Sequence, residues 1–416
     1  MSGREFDLVL FGATGFVGAL TARYLAGAAP AGTRIALAGR SPEKLRAVLD
    51  GLGDGATGWA TVVADAGSPA DLAAMARRTT AVVTTVGPYA RHGLPLVEAC
   101  AEAGTHYADL TGEPLFVRDC VERFHDVAAA SGARIVHSCG FDSVPSDLNA
   151  YLLHRRLRDD DAGLMTDTTL VAALKGGMSG GTVDSGITQL EAVARDRSLG
   201  RVLADPYALS PDRAREPDLG PQRDHALRRA RTVDPSLSGW VTTFIMASHN
   251  TKIVRRSAAL LDRAYGPDFR YREVMSTGRS RTAPVLATGV AAAMVAYQTL
   301  GPLVARGAGL KALRRLAPAP GTGPDEQARA NGHFTMTTVT RTTTGARYRA
   351  VCAAKGDPGY QATAVMLGES GLALALDGPR LPATAGVLTP ATAMPDALTG
   401  RLRAAGFTLT TERISA

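Results

Sequence analysis

Three glycines follow the first apolar run of the chain at intervals of three residues. Gly12, Gly15 and Gly18 come directly after FDLVLF, residues 6–11, where the pattern changes from strand to helix. Such glycines permit a tight turn and close approach to a pyrophosphate, which helix N-terminal amides then bind. The spacing GxxGxxG alone is weak evidence, but its place in a β-α-β pattern predicts a dinucleotide site. The predicted pyrophosphate contacts are Gly12, Ala13, Thr14, Gly15, Phe16 and Val17.

The end of the second predicted strand indicates which dinucleotide binds. Sites that select NAD usually place Asp or Glu there to bind the ribose hydroxyls. This chain has Gly39, Arg40 and Ser41 instead. An arginine can hold a 2′-phosphate through charge-assisted hydrogen bonds, so the sequence predicts NADPH as the cofactor. Lys44, one turn further on, is either another phosphate contact or a solvated helix lysine.

The third and fourth predicted strands end in residues that should flank the rest of the dinucleotide. Asp65 ends the third strand and is a predicted neighbour of the adenine. The fourth strand leads into TTVGPYARHG, at the switch point where ligands bind in open α/β sheets. The predicted neighbours of the nicotinamide ribose and ring are Val86, Gly87, Pro88 and Tyr89. Tyr89 is either an acid near the substrate or a packing residue.

Several common kinds of reaction machinery are missing from the sequence. None of the ten tyrosines is followed by Lys four residues later, as the short-chain reductases require. The eight histidines and four cysteines form no cluster with metal-ligand spacing, so we expect no metal. There is no GxSxG or Walker motif. The sequence thus predicts a nucleotide site without an obvious proton donor.

Composition sets the class of protein. The chain has 416 residues, 45% hydrophobic and 20% charged, which is typical of a globular protein with ample core. The net charge of +7 favours an anionic ligand or an acidic partner. Scattered basic residues and 5% aromatic content argue against a nucleic-acid binder. The start, MSGREFD, does not resemble a signal peptide, so we expect a cytoplasmic protein.

The pattern of elements changes partway along the chain. Over the first 140 residues, short β-branched runs alternate with amphipathic helices, which predicts an α/β fold with a doubly wound parallel sheet. After about residue 158 the pattern is α+β, with a sheet that need not be parallel. Residues 205–238 are a predicted long loop, and residues 239–257 are predicted strand.

Residues 283–305 form an uncharged segment long enough to span a membrane. The segment is mostly Ala, Gly, Thr and Val and contains Pro302, so its apolar character is weak. We expect a buried or lid-forming helix. The alternative is a surface helix that touches lipid or a long acyl chain, with weak membrane association.

Several stretches together resemble one family. FDLVLFGATGFVG, ALAGRSPEKL, TTVGPYARHGLPLVEACAEAGTHYADLTGE, GARIVHSCGFDSVPSDL, KGGMSGGT, DPYALSP, GDPGYQATAVMLGES and AGVLTPATAM look like the saccharopine dehydrogenase-like oxidoreductases. More closely, the chain resembles the bacterial trans-acting enoyl reductases of lipid and polyketide pathways. The matches span about residues 6–395.

The resemblance implies both an architecture and a reaction. It implies a Rossmann-type NADP-binding domain over residues 1–140 and an inserted α+β substrate domain over 141–355. Residues 356–416 would then return to the Rossmann domain. The implied reaction is NADPH-dependent reduction of an enoyl thioester, with the substrate delivered by an acyl carrier protein or polyketide synthase.

Two of the shared motifs contain candidate site residues. In CGFDSVPSD, residues 139–147, Asp142 and Ser143 could donate or position a proton, or could cap a helix. Phe141 beside them is a candidate substrate contact. In KGGMSGGT the candidate substrate contacts are Lys175, Met178 and Ser179. The alternative for that motif is a tight strand-to-helix turn.

Other functions stay open at this level. The same nucleotide site would serve a reductase of an imine, or of another C=C or C=O bond in a secondary metabolite. A nucleotide-binding protein without turnover, acting as a sensor or lipid-associated scaffold, is a further alternative. The stretches HRRLRD and HALRRARTVD are either a docking surface for an acidic carrier or a solvated face.

Overall fold

The alternation of strands and helices in the first 140 residues builds one parallel sheet. The computed structural model describes residues 3–176, 180–220, 222, 227–305, 309–311, 315 and 323–414. The strands of this sheet are β1 (Phe6–Phe11), β2 (Ile35–Gly39), β3 (Ala60–Val63), β4 (Thr79–Thr84), β5 (His106–Ala108), β6 (Arg134–Val136) and β13 (Gly386–Leu388). They lie in the order β3-β2-β1-β4-β5-β6-β13, all parallel. The predicted doubly wound parallel sheet is therefore confirmed, and its order reverses between β1 and β4.

A second sheet follows in sequence and is mixed, as the α+β pattern predicts. Its strands are β7 (Met165–Lys175), β8 (Leu227–Arg229), β9 (Trp240–Thr243), β10 (Arg270–Gly278), β11 (His333–Thr342), β12 (Arg347–Lys355) and β14 (Thr408–Ile414). The order is β14-β12-β11-β7-β10-β9-β8. Only β7 and β10 pair in parallel; the other pairs among the described residues are antiparallel.

The helices cover the first sheet and one side of the second. Those of the first part are α1 (Phe16–Ala28), α2 (Pro42–Asp50), α3 (Pro69–Arg77), α4 (Tyr89–His92), α5 (Leu94–Ala103) and α6 (Pro114–Ser131). Those that follow are α7 (Val144–Asp159), α8 (Gly180–Arg195), α9 (Ser198–Ala204), α10 (Ala247–Leu260), α11 (Ala283–Val304), α12 (Glu326–Ala330), α13 (Thr363–Leu376), α14 (Pro390–Ala393) and α15 (Pro395–Ala404).

Residues 356–416 contribute to both halves of the molecule. Helix α13 packs on the first sheet so closely that a Cβ at Gly371 would lie 2.6 Å from Val83 Cγ1. Strand β13 joins the edge of that sheet, whereas β14 joins the edge of the second sheet. The segment thus returns to the Rossmann-type sheet and then leaves it. The division at residues 140 and 355 stays a prediction.

The predicted strand over residues 239–257 is wrong for most of its length. Strand β9 ends at Thr243, and α10 occupies Ala247–Leu260. Threonine, isoleucine and valine in this stretch favour strand locally, but tertiary contacts decide. The guanidinium of Arg256 is buried and donates to the carbonyls of Leu209 and Val387, each at 2.6 Å. The bond to Val387 ties α10 to strand β13 of the first sheet, and the bond to Leu209 ties it to the segment after α9.

The first helix offers a matched pair of glycines that tests the packing at its N-terminus. A Cβ at Gly18 would lie 2.1 Å from the carbonyl oxygen of Gly12, whereas a Cβ at Gly27 meets nothing within 4 Å. We expect Gly18→Ala to destabilise the fold by about 2 kcal/mol or more, because the backbone must move. Gly27→Ala should stabilise it by about 0.5 kcal/mol through helix propensity. Thermal unfolding of the two variants measures this; equal unfolding temperatures would contradict the close approach.

Candidate functional site

The turn after β1 is shaped to receive an anion. Gly12 has φ +88°, and a Cβ there would lie 2.8 Å from Thr85 Oγ1. The hydroxyl of Thr85 donates to the carbonyl of Gly12 at 3.1 Å, which fixes the turn against the loop after β4. Gly15 caps α1 without a side-chain hydrogen bond, and the first turn of α1 carries no acidic residue. The first amides of α1 thus point out of the sheet edge without a side-chain partner at the cap, as a pyrophosphate site requires.

The other predicted pyrophosphate contacts surround this turn. Ala13 is buried, and the side chain of Thr14 is exposed at the turn. Phe16 packs edge-on against Tyr360, with ring centroids 5.1 Å apart. Gly15, Phe16 and Val17 all line the main cavity of the molecule. The turn therefore connects the predicted dinucleotide site with that cavity.

The predicted 2′-phosphate contacts lie at the end of β2. Arg40 is exposed, and Gly39 approaches the turn, since a Cβ there would lie 3.9 Å from Thr14 Oγ1. Ser41 caps α2: its hydroxyl accepts from the amide of Lys44 at 3.2 Å and donates to Glu43 at 2.9 Å. Ser41 therefore has a structural task as well as the predicted binding one. Glu43 is an acidic neighbour that the sequence argument does not consider.

The residues predicted to flank the adenine and nicotinamide occupy the same sheet edge. Asp65 is exposed after β3 and accepts from the amide of Gly67 at 2.7 Å. Gly87, Pro88 and Tyr89 line the main cavity together with Thr85. Val86 lies behind the glycine turn, with its Cγ2 atom 2.8 Å from the Cβ position of Gly12.

The phenol of Tyr89 is held by the backbone. Its hydroxyl donates to the carbonyl of Thr84 at 3.1 Å and accepts from the amide of Leu110 at 3.2 Å. Burial raises the pKa of Tyr89 well above its usual value, and the Asp109 carboxylate adds to this. The ring packs on Phe116, with centroids 5.8 Å apart. These contacts favour the packing role over the acid role for Tyr89.

Glu113 is a site residue that the sequence argument did not single out. Its buried carboxylate accepts from the amides of Tyr89 and Ala90 at 3.0 and 2.8 Å, at the start of α4. It also accepts from the hydroxyl of Ser185 on α8 at 2.7 Å. Burial raises the pKa of Glu113. The only sequence signal is its place in THYADLTGE, directly before Pro114.

The main cavity, of about 1120 Å³, lies between the two sheets. One end is formed by the nucleotide loops, and the other by α8, α10 and α11. Its wall is largely apolar or glycine, with a few polar side chains placed among them. The polar side chains on this wall include those of Asp142, Ser185, Gln222, His249, Lys252 and Arg255. Pockets of this form, with a few convergent polar groups, are typical of substrate sites.

Asp142 is a predicted catalytic residue that lies on the cavity wall, as Tyr89 does. Burial and, as the second cause, the nearby Asp109 carboxylate raise the pKa of its carboxyl to about 7. A carboxyl with this pKa holds a proton for a large part of the time at neutral pH, which suits a general acid. Perturbed titration in a cleft of this kind is a mark of functional residues.

The neighbours of Asp142 in sequence point elsewhere. The hydroxyl of Ser143 is buried and donates to Asn250 Oδ1 at 3.1 Å. The ring of Phe141 packs on Phe334, with centroids 4.9 Å apart, inside the core. Neither residue is part of the described cavity wall. The structure therefore does not bring these two predicted residues to the site.

The KGGMSGGT motif leads into the cavity without bringing its predicted contacts there. Lys175 is exposed at the end of β7, pairs with His333 across the sheet, and is not part of the described cavity wall. Met178 and Ser179 lie outside the described residues. Gly180 and Gly181, which follow them, line the cavity at the start of α8.

Helix α10 adds polar groups to the cavity wall that the sequence did not indicate, because this segment was predicted as a strand. His249 Nε2 lies 2.8 Å from the hydroxyl of Ser138, whose φ of +63° is uncommon for a residue other than glycine. Burial lowers the pKa of His249 to about 3, with Lys252 as the next cause, so the ring is neutral. Lys252 and Arg255 are 5% and 3% exposed. Two buried basic side chains therefore lie on one wall of the cavity.

Among the described residues, no three His, Cys, Asp or Glu side chains are grouped as a metal site. All four cysteines are free and buried. Burial raises the pKa of Cys100 and Cys139, which keeps their thiols protonated.

Comparison with known proteins is decisive for the family. Residues 8–136 match the model of the saccharopine dehydrogenase NADP binding domain. A trans-acting enoyl reductase of Mycobacterium ulcerans is 50% identical over 414 residues, 99% of each chain. The chain belongs to the family of trans-acting enoyl reductases. A Mycobacterium tuberculosis trans-acting enoyl reductase is 50% identical over 415 residues, again 99% of each chain.

A solved structure has the same fold as this chain. Saccharopine dehydrogenase from Saccharomyces cerevisiae covers 98% of this chain with a TM-score of 0.55, at 10% identity. The relatives named enoyl reductase and the NADP-binding domain make the chain an oxidoreductase. Its fold is that of saccharopine dehydrogenase. Its NADP-binding domain makes NADPH the cofactor, which confirms the prediction from Arg40. Which residues touch the cofactor stays a prediction.

The 2′-phosphate contact can be tested with two arginines of the same segment. We expect Arg40→Ala to raise KM for NADPH at least about tenfold, since hydrogen bonds to charged groups contribute about 1.5–3 kcal/mol. KM for NADH should change little, because NADH has no 2′-phosphate. Arg46→Ala, an exposed change within α2, is the control. Initial rates of NADPH and NADH oxidation measure this; an equal rise for both cofactors would contradict the assignment.

Proposed function

We propose that the protein reduces the C=C bond of an enoyl thioester with NADPH. The observation that carries this is the single cavity that joins the nucleotide turn to an apolar wall with a protonatable carboxyl. Relatives named trans-acting enoyl reductase, 50% identical over nearly the whole chain, support the same reaction. NADPH supplies the hydride when bound.

The residues of the cavity fit the two requirements of such a reduction. Hydride addition to the β-carbon moves the C=C electron pair toward the thioester oxygen, where negative charge develops. We propose that the basic side chains of Lys252 and Arg255 on the cavity wall favour this negative charge. A proton must then reach the α-carbon to complete the product. We propose that Asp142 donates this proton and regains it from solvent.

The other two candidate donors fit this step less well. The proton of Tyr89 is engaged by the Thr84 carbonyl, and the phenol lies between two backbone groups. Ser143 is buried against Asn250 and is not on the described cavity wall. Asp142 alone among the three combines a place on the wall with a pKa near neutrality.

We propose that the substrate arrives on an acyl carrier protein or polyketide synthase, in the cytoplasm. The net charge of +7 favours an acidic carrier. The HRRLRD stretch does not support docking there, because its arginines are paired. Arg155 pairs with Asp396, and Arg156 pairs with Asp160 at 2.9 Å. We therefore assign that stretch to a solvated, ion-paired face.

The proton donor is tested by three single substitutions. We expect Asp142→Asn to lower kcat about 100-fold or more, because the amide cannot deliver a proton. Tyr89→Phe and Ser143→Ala should retain most of the wild-type kcat. NADPH oxidation with a crotonyl thioester is the assay, and binding of NADPH to each variant is the control. A large loss of kcat in Tyr89→Phe alone would overturn the assignment of Asp142.

The pH dependence supplies a second test of the same residue. The donor must be protonated, so kcat should be highest below pH of about 7 and fall as pH rises through the pKa of Asp142. In Asp142→Asn this fall should disappear from the residual rate. A wild-type kcat that rises through the same range would contradict an acid role for Asp142.

A further inference from the structure

Helix α11 exposes an apolar outer face. Only 11% of its most apolar 18-residue stretch is buried inside the protein. The helix is long and apolar enough to cross a membrane. The most exposed large side chains on it are Val285 at 73%, Leu286 at 56%, Leu303 at 56%, Leu300 at 55%, Val295 at 49% and Val304 at 45%. A continuous apolar face of this kind marks an interaction surface.

The polar side chains of α11 are Thr288, Tyr297, Gln298 and Thr299, of which Tyr297 and Gln298 line the main cavity. Residues 283–305 contain no charged side chain. The hydroxyls of Thr288 and Thr299 donate to carbonyls of their own helix, of Pro284 and Val295, each at 2.8 Å. The face therefore carries no acidic or basic side chain, and these two hydroxyls are satisfied within the helix.

The inner face of the same helix belongs to the protein, so the helix does not span a bilayer. Thr242 of β9 donates to the carbonyl of Ala287 at 2.8 Å. The hydroxyl of Tyr297 donates to the carbonyl of Gly186 on α8 at 3.1 Å. Met294 and Pro302 line the main cavity. One face of α11 thus closes the substrate cavity while the other faces outward.

The sequence around the helix has one sign of charge. Between Val274 and Pro324 there is no Asp or Glu. The same stretch contains Arg279, Arg281, Arg306, Lys311, Arg314 and Arg315. Arg279 and Arg281 are exposed just before α11. Basic residues at both ends of an apolar surface helix match a bilayer, in which acyl chains lie beneath anionic headgroups.

We propose that the outer face of α11 docks on an anionic lipid bilayer, with the exposed side chains of Arg279, Arg281, Lys311 and Arg315 on the headgroups. An acidic carrier protein fits this face less well. The face is apolar for six turns and has no charge to pair with the acidic side chains of a carrier. The inference needs only the surface of α11 and does not depend on the reaction. It would place the wall of the substrate cavity directly against the membrane.

Vesicle binding tests the apolar face without any substrate. The full chain is sedimented with vesicles of phosphatidylcholine, alone or mixed with phosphatidylglycerol. We expect binding to the mixed vesicles, and its loss in the triple variant Leu286→Gln, Leu300→Gln, Leu303→Gln. The matched control is Val63→Gln, Val127→Gln, Leu164→Gln, which changes three exposed apolar residues elsewhere. The control variant should bind as the wild type does.

The basic residues are tested separately. We expect Arg279→Gln with Arg281→Gln to lower the partition coefficient about 30-fold, since each basic residue near the surface contributes about 1 kcal/mol. Arg77→Gln with Arg158→Gln, two exposed arginines elsewhere, is the control. High salt should weaken binding of the wild type to the mixed vesicles.

Three outcomes would overturn the proposal. The wild type could fail to sediment with either kind of vesicle. The triple variant of α11 could bind as well as the wild type while remaining folded by circular dichroism. The wild type could bind a purified acyl carrier protein but no vesicle, with that binding lost in the α11 variant, which would make the face a protein-docking surface. Enoyl reductase activity can be present or absent in each case, so the two proposals fail independently.

Discussion

The close approach of two backbone segments at the first turn determines where the rest of the site lies. The start of α1 sits so near the turn after β1 that Gly18 has no space for a Cβ beside the carbonyl of Gly12. The Thr85 hydroxyl bonds to that same carbonyl and fixes the loop after β4 against the turn. A parallel sheet reverses its order at this point, so a crevice must open there. The nucleotide turn, the loop after β4 and the cavity are therefore consequences of one tight backbone contact.

A buried carboxylate then connects the nucleotide side of the crevice to the substrate side. Glu113 accepts from two amides at the start of α4 and from Ser185 on α8, so one group holds two halves of the cavity wall. Arg91 and Glu191 add an ion pair at 2.8 Å between the same two helices. Burying a carboxylate is costly unless hydrogen bonds compensate, and here three donors do so. Burial raises the pKa of Glu113, and its three hydrogen bonds act in the opposite direction.

Local patterns in the sequence predict the first sheet because each strand and helix there is set by nearby residues. The glycine turn, the Ser41 cap and the apolar strands all have short-range signatures. The same local patterns predict the wrong element at α10. Its β-branched residues favour a strand, but the helix is held by bonds from Arg256 to carbonyls of residues distant in sequence. Local patterns also fail to choose between Tyr89 and Asp142. That choice depends on two tertiary contacts. The hydroxyl of Tyr89 is bonded to backbone groups, whereas Asp142 lies on the cavity wall, and residue spacing in the sequence indicates neither.

Helix α11 shows how one element can serve two environments. Its inner face is fixed by bonds to β9 and α8 and forms part of the cavity wall. Its outer face is apolar and satisfies its hydroxyls internally. Met294 and Tyr297 line the cavity, so a bilayer on the outer face would lie one helix away from the substrate. The proposed membrane contact and the wall of the substrate cavity are therefore two sides of one element.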